Sequence, residues 1–541
     1  MSRLSKFATK EASEIRKHDA AAVENFMGGT SYTLSPLHTL KIVAASSIFG
    51  EPQFYRDGEG APKAIKNHAA LLEYSIFNEM LKDKRTAADV FTSAVDSALD
   101  YDFKATLELA LELRRDYFMR LNPAVIFVRA SMHPSRIKFN EENPGFMKTL
   151  GKAIAYRPDD LTNQFDYYMY VNGSKSKLPS LVKRTWSEKL NEFSRYQLNK
   201  YKGKKLIDLV RISHAWSEDI DELMKTGTLK VQETEQTWET MRSAGKTWKE
   251  IIDTIEIPHM ALLRNLRGIF SEIQDTAVAK AISEKLKKGV IGGKQFPFRY
   301  YSAYKAMQKE TVNHRQLILD TLEECMDIAV ANFPKLNGKT ICLSDNSGSA
   351  WGTLNSEYGS TQVAEIANLS SLITAKQSDE GQVGVFGDNL SIKDVSQRNG
   401  LLSQLEETSR RGKQQGGGTE NGIWVFFRDA IASKAHYDNI FIYSDMQAGH
   451  GGLFGIDSSE YRDFIHPNRG SYIDVLSLVE KYRKVVNPKV NIFSVQVAGY
   501  DNSVLPENLY RGAILAGWTG RETQFAKALI DTWDQIENSS R

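Results

Sequence analysis

The feature that most constrains this chain is a change of pattern near residue 335. Upstream, apolar residues recur at three- and four-residue spacing, as in the pairs Leu107 and Leu111, and Tyr117 and Leu121. That is the period of an amphipathic helix. It predicts helices over 37–49, 69–81, 87–99, 105–121, 123–131, 178–198, 216–224, 238–244, 248–255, 260–270 and 316–333. Ser35 and Pro36 form an N-cap and first-turn pair ahead of the first. No one helix is apolar enough to be central and no alternating strand pattern interrupts the array. Stacked helix pairs therefore fit better than a four-helix bundle, although no clean repeat emerges.

Downstream, short apolar runs at 339–345, 383–388, 439–445 and 491–499 alternate with helical patterns at 363–375, 421–435, 473–485 and 523–536. Strands that are apolar throughout and alternate with helices indicate a mainly parallel sheet covered on both faces. The fold class that follows is multidomain: an all-α helical array over 1–337, then a doubly wound α/β domain over 338–541.

Charge divides at the same place. The chain carries 69 Lys plus Arg against 67 Asp plus Glu, a net of +2. Residues 338–541 hold 19 basic and 24 acidic residues, whereas 1–337 hold 50 and 43. Between Lys175 and Arg211 there are 11 basic residues and 3 acidic ones. Near-neutrality of the whole thus hides one basic stretch: Lys175, Lys177, Lys183, Arg184, Lys189, Arg195, Lys200, Lys202, Lys204, Lys205 and Arg211. Concentrated cations bind phosphates and release counterions. Aromatics are interleaved, Trp186, Phe193, Tyr196 and Tyr201; Tyr could stack on unpaired bases, but the stronger reading makes Trp186, Phe193 and Tyr196 core residues of an amphipathic helix. A second candidate surface carries Arg264 and Arg267, three residues apart behind Pro258, which suits a first helical position.

Two cysteines, Cys325 and Cys342, support neither a disulfide framework nor a zinc cluster. No apolar run approaches the roughly 18 residues of a membrane span, and the N-terminus lacks a signal-like apolar core. The expectation is a cytoplasmic protein that does not engage a membrane.

In open parallel sheets the working residues sit at the carboxyl ends of strands. The first strand here ends in Asp345-Asn346-Ser347-Gly348-Ser349, and the third in Ser444-Asp445. Between them, Gly416-Gly417-Gly418-Thr419 delivers a hydroxyl ahead of a helix. Two carboxylates and three hydroxyls make a hard, oxygen-rich set suited to Mg²⁺ that accepts one ligand from a partner. Each motif alone is also ordinary turn chemistry. Their order and placement make the metal site the stronger reading. Catalytic signatures are missing: no Gly-Lys-Ser/Thr, no G-x-S-x-G around the serines and no H-E-x-x-H. The expectation is a non-enzyme.

The order D-x-S-x-S, Thr, Asp resembles the metal-ion-dependent adhesion site of von Willebrand factor A domains, over 339–541. The resemblance implies Asp345, Ser347 and Ser349 as first-loop ligands, Thr419 as second and Asp445 as third, with a partner carboxylate completing the shell. A basic helical array followed by such a domain resembles the Ro RNA-binding autoantigen family, whose helical part is the TROVE module. The segments that carry this are Asn25-Phe26-Met27-Gly28-Gly29 with Leu34-Ser35-Pro36, Leu113-Arg114-Arg115 through Leu121-Asn122-Pro123-Ala124, Asp208 through His214, and Trp248 through Leu266.

That family implies HEAT-like helix pairs closed into a monomeric ring. Single-stranded 3′ ends of misfolded RNA would enter a central cavity, and small Y-like noncoding RNA would lie on a basic outer surface. A 3′ exoribonuclease tethered through RNA is an implied partner. Matching positions place Lys200, Lys202, Lys204, Lys205, Arg211 and His214 on the outer surface; His214, beside Ile212, is equally readable as a core histidine. One departure is local: the turn before Asp208 is short, at Gly203-Lys204-Lys205. The alternative from another class is a metal-dependent protein-interaction scaffold without RNA, with metal-dependent phosphoester hydrolysis third.

Overall fold

The computed structural model describes residues 20–539 except 25–29, 47–50, 52–53, 57–61, 65–86, 174–177, 231–236, 357–358, 418–419, 447–461, 463–473, 498–501 and 518. The helix expected over 69–81 and the Asn25 to Gly29 block lie outside the described residues. The chain forms two compact units. One is Ser35–Glu235 with Asn355–Ser360; the other joins residues up to Leu34 to Gln236–Leu354 and Thr361–Arg541.

The first unit is helical: Pro36–Ser46, Ala87–Tyr101, Phe103–Arg115, Leu121–Met132, Arg136–Glu142, Phe146–Ala153, Pro158–Asn172, Ser180–Leu190, Arg195–Lys200, Lys204–Ser213 and Glu218–Thr226. Helix starts follow side-chain chemistry. The Asp102 carboxylate accepts from the Ala105 amide at 2.8 Å, and the Ser217 hydroxyl from the Ile220 amide at 3.3 Å, each satisfying an orphan donor of the first turn. Packing is between neighbours. Phe103–Arg115 lies on Leu121–Met132, which lies on Pro158–Asn172; Phe146–Ala153 lies on Ser180–Leu190, which lies on Lys204–Ser213. Leu107, Leu113, Ile126, Phe127 and Leu161 are buried between them. Gly151 is required here, because a Cβ would meet the Phe127 ring at 2.5 Å.

Two expected helices are broken. The 105–121 segment ends at Arg115, where Phe118 takes a left-handed φ of 55°. The 178–198 segment breaks at Asn191–Ser194, where the Ser194 hydroxyl accepts from the Gln197 amide to start a new helix. Helices at Arg136–Glu142, Phe146–Ala153, Pro158–Asn172 and Lys204–Ser213 add to those expected.

The second unit contains further helices at Trp238–Ser243, Trp248–Thr254, His259–Arg264, Leu266–Glu272, Thr276–Lys288, Val290–Gly293, Pro297–Gln308 and Arg315–Ala331, and the α/β domain packed with them. Lys305 reaches Glu365 at 2.8 Å and Lys376 reaches Asp327 at 3.0 Å across that packing.

In chain order the strands are β1 (Ala22–Glu24), β2 (Thr30–Thr33), β3 (Phe54–Arg56), β4 (Pro62–Ala64), β5 (Leu336–Asp345), β6 (Thr353–Ser356), β7 (Gly359–Gln362), β8 (Ser378–Phe386), β9 (Leu390–Asp394), β10 (Asn439–Ser444), β11 (Asn491–Gln496), β12 (Asn502–Ser503) and β13 (Gly512–Ala516). The main sheet has the order β13-β11-β10-β5-β8-β9, parallel except for the antiparallel edge strand β9. Alternate side chains leave opposite faces. Ile341, Leu343, Ile440, Ile442 and Ile492 form one core with Glu420–Ser433 and Val475–Val485. On the other face the Tyr443 hydroxyl meets Thr374 at 2.7 Å and Phe493 stacks on Trp533. The expected fold class, helical array then doubly wound α/β domain, is the one observed. A small antiparallel sheet, β1-β2-β12, was not anticipated: it joins the chain's first strands to the α/β domain.

Candidate metal centre and basic surface

The chain runs from β5 to β8 on one side of the sheet and later returns to β10 on the other. The topological switch therefore lies between β5 and β10, where ligands bind in open α/β sheets. Asp345 ends β5 and Asp445 follows β10, so the two carboxylates flank that crevice.

Asp345 is fully buried. Its Oδ1 accepts from the Ser347 amide at 2.9 Å, and its Oδ2 from the Ser444 hydroxyl at 2.6 Å. Ser349 Oγ donates to Asp445 Oδ2 at 2.7 Å, and the Ser347 and Ser349 hydroxyls lie 3.3 Å apart. Four of the five expected ligands are thus brought together. Thr419 lies outside the described residues, but its glycine loop is anchored beside them. The Gly348 amide donates to Gly417 O, and the Gly417 amide to Asp388 Oδ2, both at 2.9 Å. Gly416 has φ +91° and a Cβ there would meet Asp388 Oδ2 at 2.2 Å, so glycine is needed on both counts.

Burial raises the Asp345 carboxyl above its ordinary range, against the hydrogen bonds from Ser444 and Ser347. An ionised carboxylate in that position gains from a cation. The donors are carboxylate and hydroxyl oxygens, which suits a hard divalent ion. Among the described residues no group of three or more His, Cys, Asp or Glu could hold a metal. A metal site here would therefore have to recruit hydroxyls. The residues present fit Mg²⁺.

Behind the ligands, Asn346 and Asn368 exchange amide hydrogen bonds at 2.9 and 3.0 Å. Trp351 Nε1 donates to Asn346 O at 3.1 Å. These support the D-x-S-x-S loop from beneath and were not singled out from sequence. Asn346 was legible as a motif member; Asn368 is 22 residues away on a helix and carries no local signal.

The basic stretch belongs to the helical unit. Arg184 is exposed and Lys183 half-buried on Ser180–Leu190. Lys200, Lys202, Lys204, Lys205, Arg211 and His214 are all exposed. His214 caps Lys204–Ser213 with a left-handed φ of 54°, so the core reading of this histidine does not hold. Part of the charge is neutralised by acids from neighbouring segments. Arg195 pairs with Asp219 and with Glu222, the latter at 2.9 Å; Lys205 pairs with Asp166 at 2.7 Å, and Lys189 with Glu192 at 3.0 Å. Lys200 lies 5.7 Å from the Tyr196 ring. Lys175 and Lys177 lie outside the described residues.

Two of the aromatics follow the core reading, whereas Tyr196 and Tyr201 are only half-buried. Trp186 is buried with Nε1 on Gln164 Oε1 at 2.8 Å, and Phe193 is buried too. The exposed aromatic is instead Trp216, at 68%. It precedes the Ser217 cap, two residues after His214.

Arg264 and Arg267 are exposed in the other unit. The single helix expected over 260–270 is broken at Asn265, whose side chain bonds back to Ala261 O at 2.7 Å. Pro258 is the N-cap rather than the first helical residue. The two arginines therefore sit on consecutive helices, and Arg267 is paired with Glu310 at 3.3 Å.

Residues 221–330 match the family model of the TROVE domain. The match covers one segment of the chain, about a fifth of its length. The fold of the chain is similar to that of the Ro protein (RSR) of Deinococcus radiodurans, with a TM-score of 0.56 at 14% identity, over 80% of this chain and 93% of that one. No curated protein sequence matches the chain. Within the TROVE-domain match, His259 is packed against Gly289 and Gly293, where a Cβ would meet its ring at 2.5 and 2.3 Å. Its Nε2 lies 2.8 Å from the Tyr300 hydroxyl, and burial lowers its pKa, disfavouring the charged imidazolium. Among the described residues, no helix is long and apolar enough to cross a membrane.

Proposed function

We propose that this protein binds RNA on the exposed basic face of its helical unit. The observation that carries the reading is the clustering of Lys202, Lys204, Lys205, Arg211 and His214, all exposed, on one helix and its two ends. The TROVE match supports it. Cations on a helix surface recognise phosphates and give affinity without reading sequence. Exposed Trp216 adds a π-face for an unpaired base. The RNA expected is small, structured and Y-like. The family resemblance extends the reading to single-stranded 3′ ends of misfolded RNA, to quality control, and to an adaptor role for a tethered 3′ exoribonuclease. A monomeric, cytoplasmic protein without catalytic activity completes it.

The α/β domain is read as a Mg²⁺ site held by Asp345, Ser347, Ser349 and Asp445, with Thr419 from the adjacent loop. When bound, the ion would supply a point of positive charge able to take a partner's carboxylate. This chain's own residues shape the site: Ser444 and the Ser347 amide fix the Asp345 carboxylate, and Ser349 orients Asp445. That donor set also favours a second reading, protein interaction through the metal without RNA.

Replacing Lys200, Lys202, Lys204 and Lys205 by Gln tests the first reading. At about 0.7–0.9 per phosphate contact, the slope of log affinity against log salt should shallow by about 3. An unchanged slope with unchanged affinity for structured RNA removes the assignment and leaves the interaction scaffold.

A further inference from the structure

The strand β2, far from the metal motif in sequence, touches the loop that carries Asp445. Thr30, Ser31 and Tyr32 are buried. Tyr32 pairs with Ser503 and Thr33 with Asn502 of β12, in antiparallel register. Ser31 Oγ donates to the carbonyl of Met446 at 3.3 Å, the residue directly after Asp445. Tyr32 OH donates to Asp474 Oδ1 at 2.9 Å. Asp474 in turn caps Val475–Val485, accepting from the Leu476 amide and the Ser477 hydroxyl.

Met446 is held from several sides. Its φ is +68°, a left-handed backbone that a residue with a side chain adopts only where its surroundings impose it. Its side chain is fully buried. Its amide donates to Ser444 Oγ at 3.1 Å, and that same hydroxyl donates to Asp345 Oδ2. Its sulfur lies 3.1 Å from Ser494 Oγ, which is 2.8 Å from Ser503 Oγ on β12. The path is closed: β2 pairs with β12, Ser503 with Ser494, Ser494 with Met446, and Met446 with Ser31. Asp445 and Asp345 are both tied to it.

We propose that β2 positions the Asp445 loop: through Ser31 and Tyr32 it holds Met446 and Asp474 so that Asp445 faces Asp345 and Ser349, and it thereby sets the cation affinity of the site. Ser31 and Tyr32 are positioning residues and not ligands. The affinity half of this rests on the metal reading above; the positioning half does not.

The test uses the full chain with Ser31→Ala, Tyr32→Phe and the double variant, each checked for fold by circular dichroism. Hydrogen exchange is measured without metal at the amides of Met446 and Ser347, which report directly on the Ser444 and Asp345 contacts. Mg²⁺ titration by calorimetry is measured on the same samples, with Ser494→Ala as an independent cut of the same path. In the double variant, exchange at Met446 should accelerate and Mg²⁺ affinity should fall roughly tenfold, the scale of losing a group that orients a ligand. Ser494→Ala should move both in the same direction. Exchange unchanged in the double variant overturns the positioning role. Faster exchange with unchanged Mg²⁺ affinity overturns the control of the site. A wild-type chain that takes up no Mg²⁺ refutes the metal reading and with it the affinity half, while the exchange arm still decides whether β2 holds the loop.

Discussion

Asp160 in the helical unit and Asp345 in the α/β unit are buried acids met in opposite ways, although Glu51 of the helical unit, like Asp345, is met by amides, those of Arg120, Leu121 and Asn122. In the helical unit Asp160 is buried, and two guanidiniums meet it: Arg114 at Oδ2 and Arg120 at Oδ1, each at 2.9 Å. Arg114 is itself buried, with Nε on Ile154 O at 2.9 Å and its guanidinium 4.0 Å from the Tyr156 ring. In the α/β unit, buried Asp345 is met by a hydroxyl and an amide, and buried Glu522 by the Thr519 and Gly520 amides and the Thr519 hydroxyl. Desolvation is opposed by full charge in the first case and by dipoles in the second. Asp160 is closed by charge from within its own unit, whereas Lys200, Lys202, Lys204, Lys205 and Arg211 of that unit stay exposed, on the proposed RNA face. In the α/β unit only dipoles meet Asp345, so the proposed cation would supply the charge that burial withholds from its carboxylate.

The sharpest break in that comparison is Asp345→Ala. Removing a direct ligand should weaken Mg²⁺ binding by more than the roughly 10–100-fold typical when only a supporting group is lost. Calorimetric titration decides it, and retained stoichiometric binding would refute the ligand set. On the helical side the largest effect is structural. Arg114→Ala leaves Asp160 with one guanidinium, Arg120, beside the Tyr156 and Arg157 amides, and should cost about 3–5 kcal/mol in urea unfolding of that unit. A loss under about 1 kcal/mol would show that Arg120 and these amides compensate the acid.

Why the α/β site was legible and the arginine pair was not follows from chain geometry. Asp345, Ser347 and Ser349 are one contiguous motif at the end of an apolar strand, and Asp445 ends another, so the sheet's period delivers them together. Arg114 and Asp160 are 46 residues apart, and the helix Pro158–Asn172 that brings them together has buried polar residues, Asp160 and Gln164, among its aromatics. That mixture erases the apolar period by which helices are found. Strand β2 was missed for a related reason: four residues, Thr30-Ser31-Tyr32-Thr33, carry no apolar alternation, and their partners lie some 470 residues on. The basic stretch was legible as composition, but its pairing was not, because Asp166, Asp219 and Glu222 come from outside it.

Glu522 extends the comparison through pH. Burial pushes its carboxyl up to about 7, while in the unfolded chain it titrates near its ordinary value of 4.5. The folded state therefore holds its proton to higher pH, and its contribution to stability is full below 4.5 and lost as pH rises to 7. Glu522→Gln removes this loss. The variant should be more stable than wild type by about 3 kcal/mol at pH 8 and similar to it at pH 4, a difference set by the shift in pKa. Parallel melting curves across that range test it; a constant offset at all pH would mean that the amide repacks the site and that charge is not the cause.

The smallest expected effect separates two contributions on the helical face. Lysines act through phosphate charge, so their removal changes the salt slope. Trp216 is uncharged, 68% exposed, and sits beside exposed Arg211 and His214. Its stacking on a base is sequence-tolerant and nearly independent of counterions. Trp216→Ala should weaken binding of RNA with an unpaired segment by about 1 kcal/mol, roughly fivefold, at the low end of stacking energies. The slope against salt should stay as in wild type, and a fully duplex RNA should lose nothing. A shallower slope, or an equal loss on duplex, would place Trp216 among the groups that merely shape the basic surface.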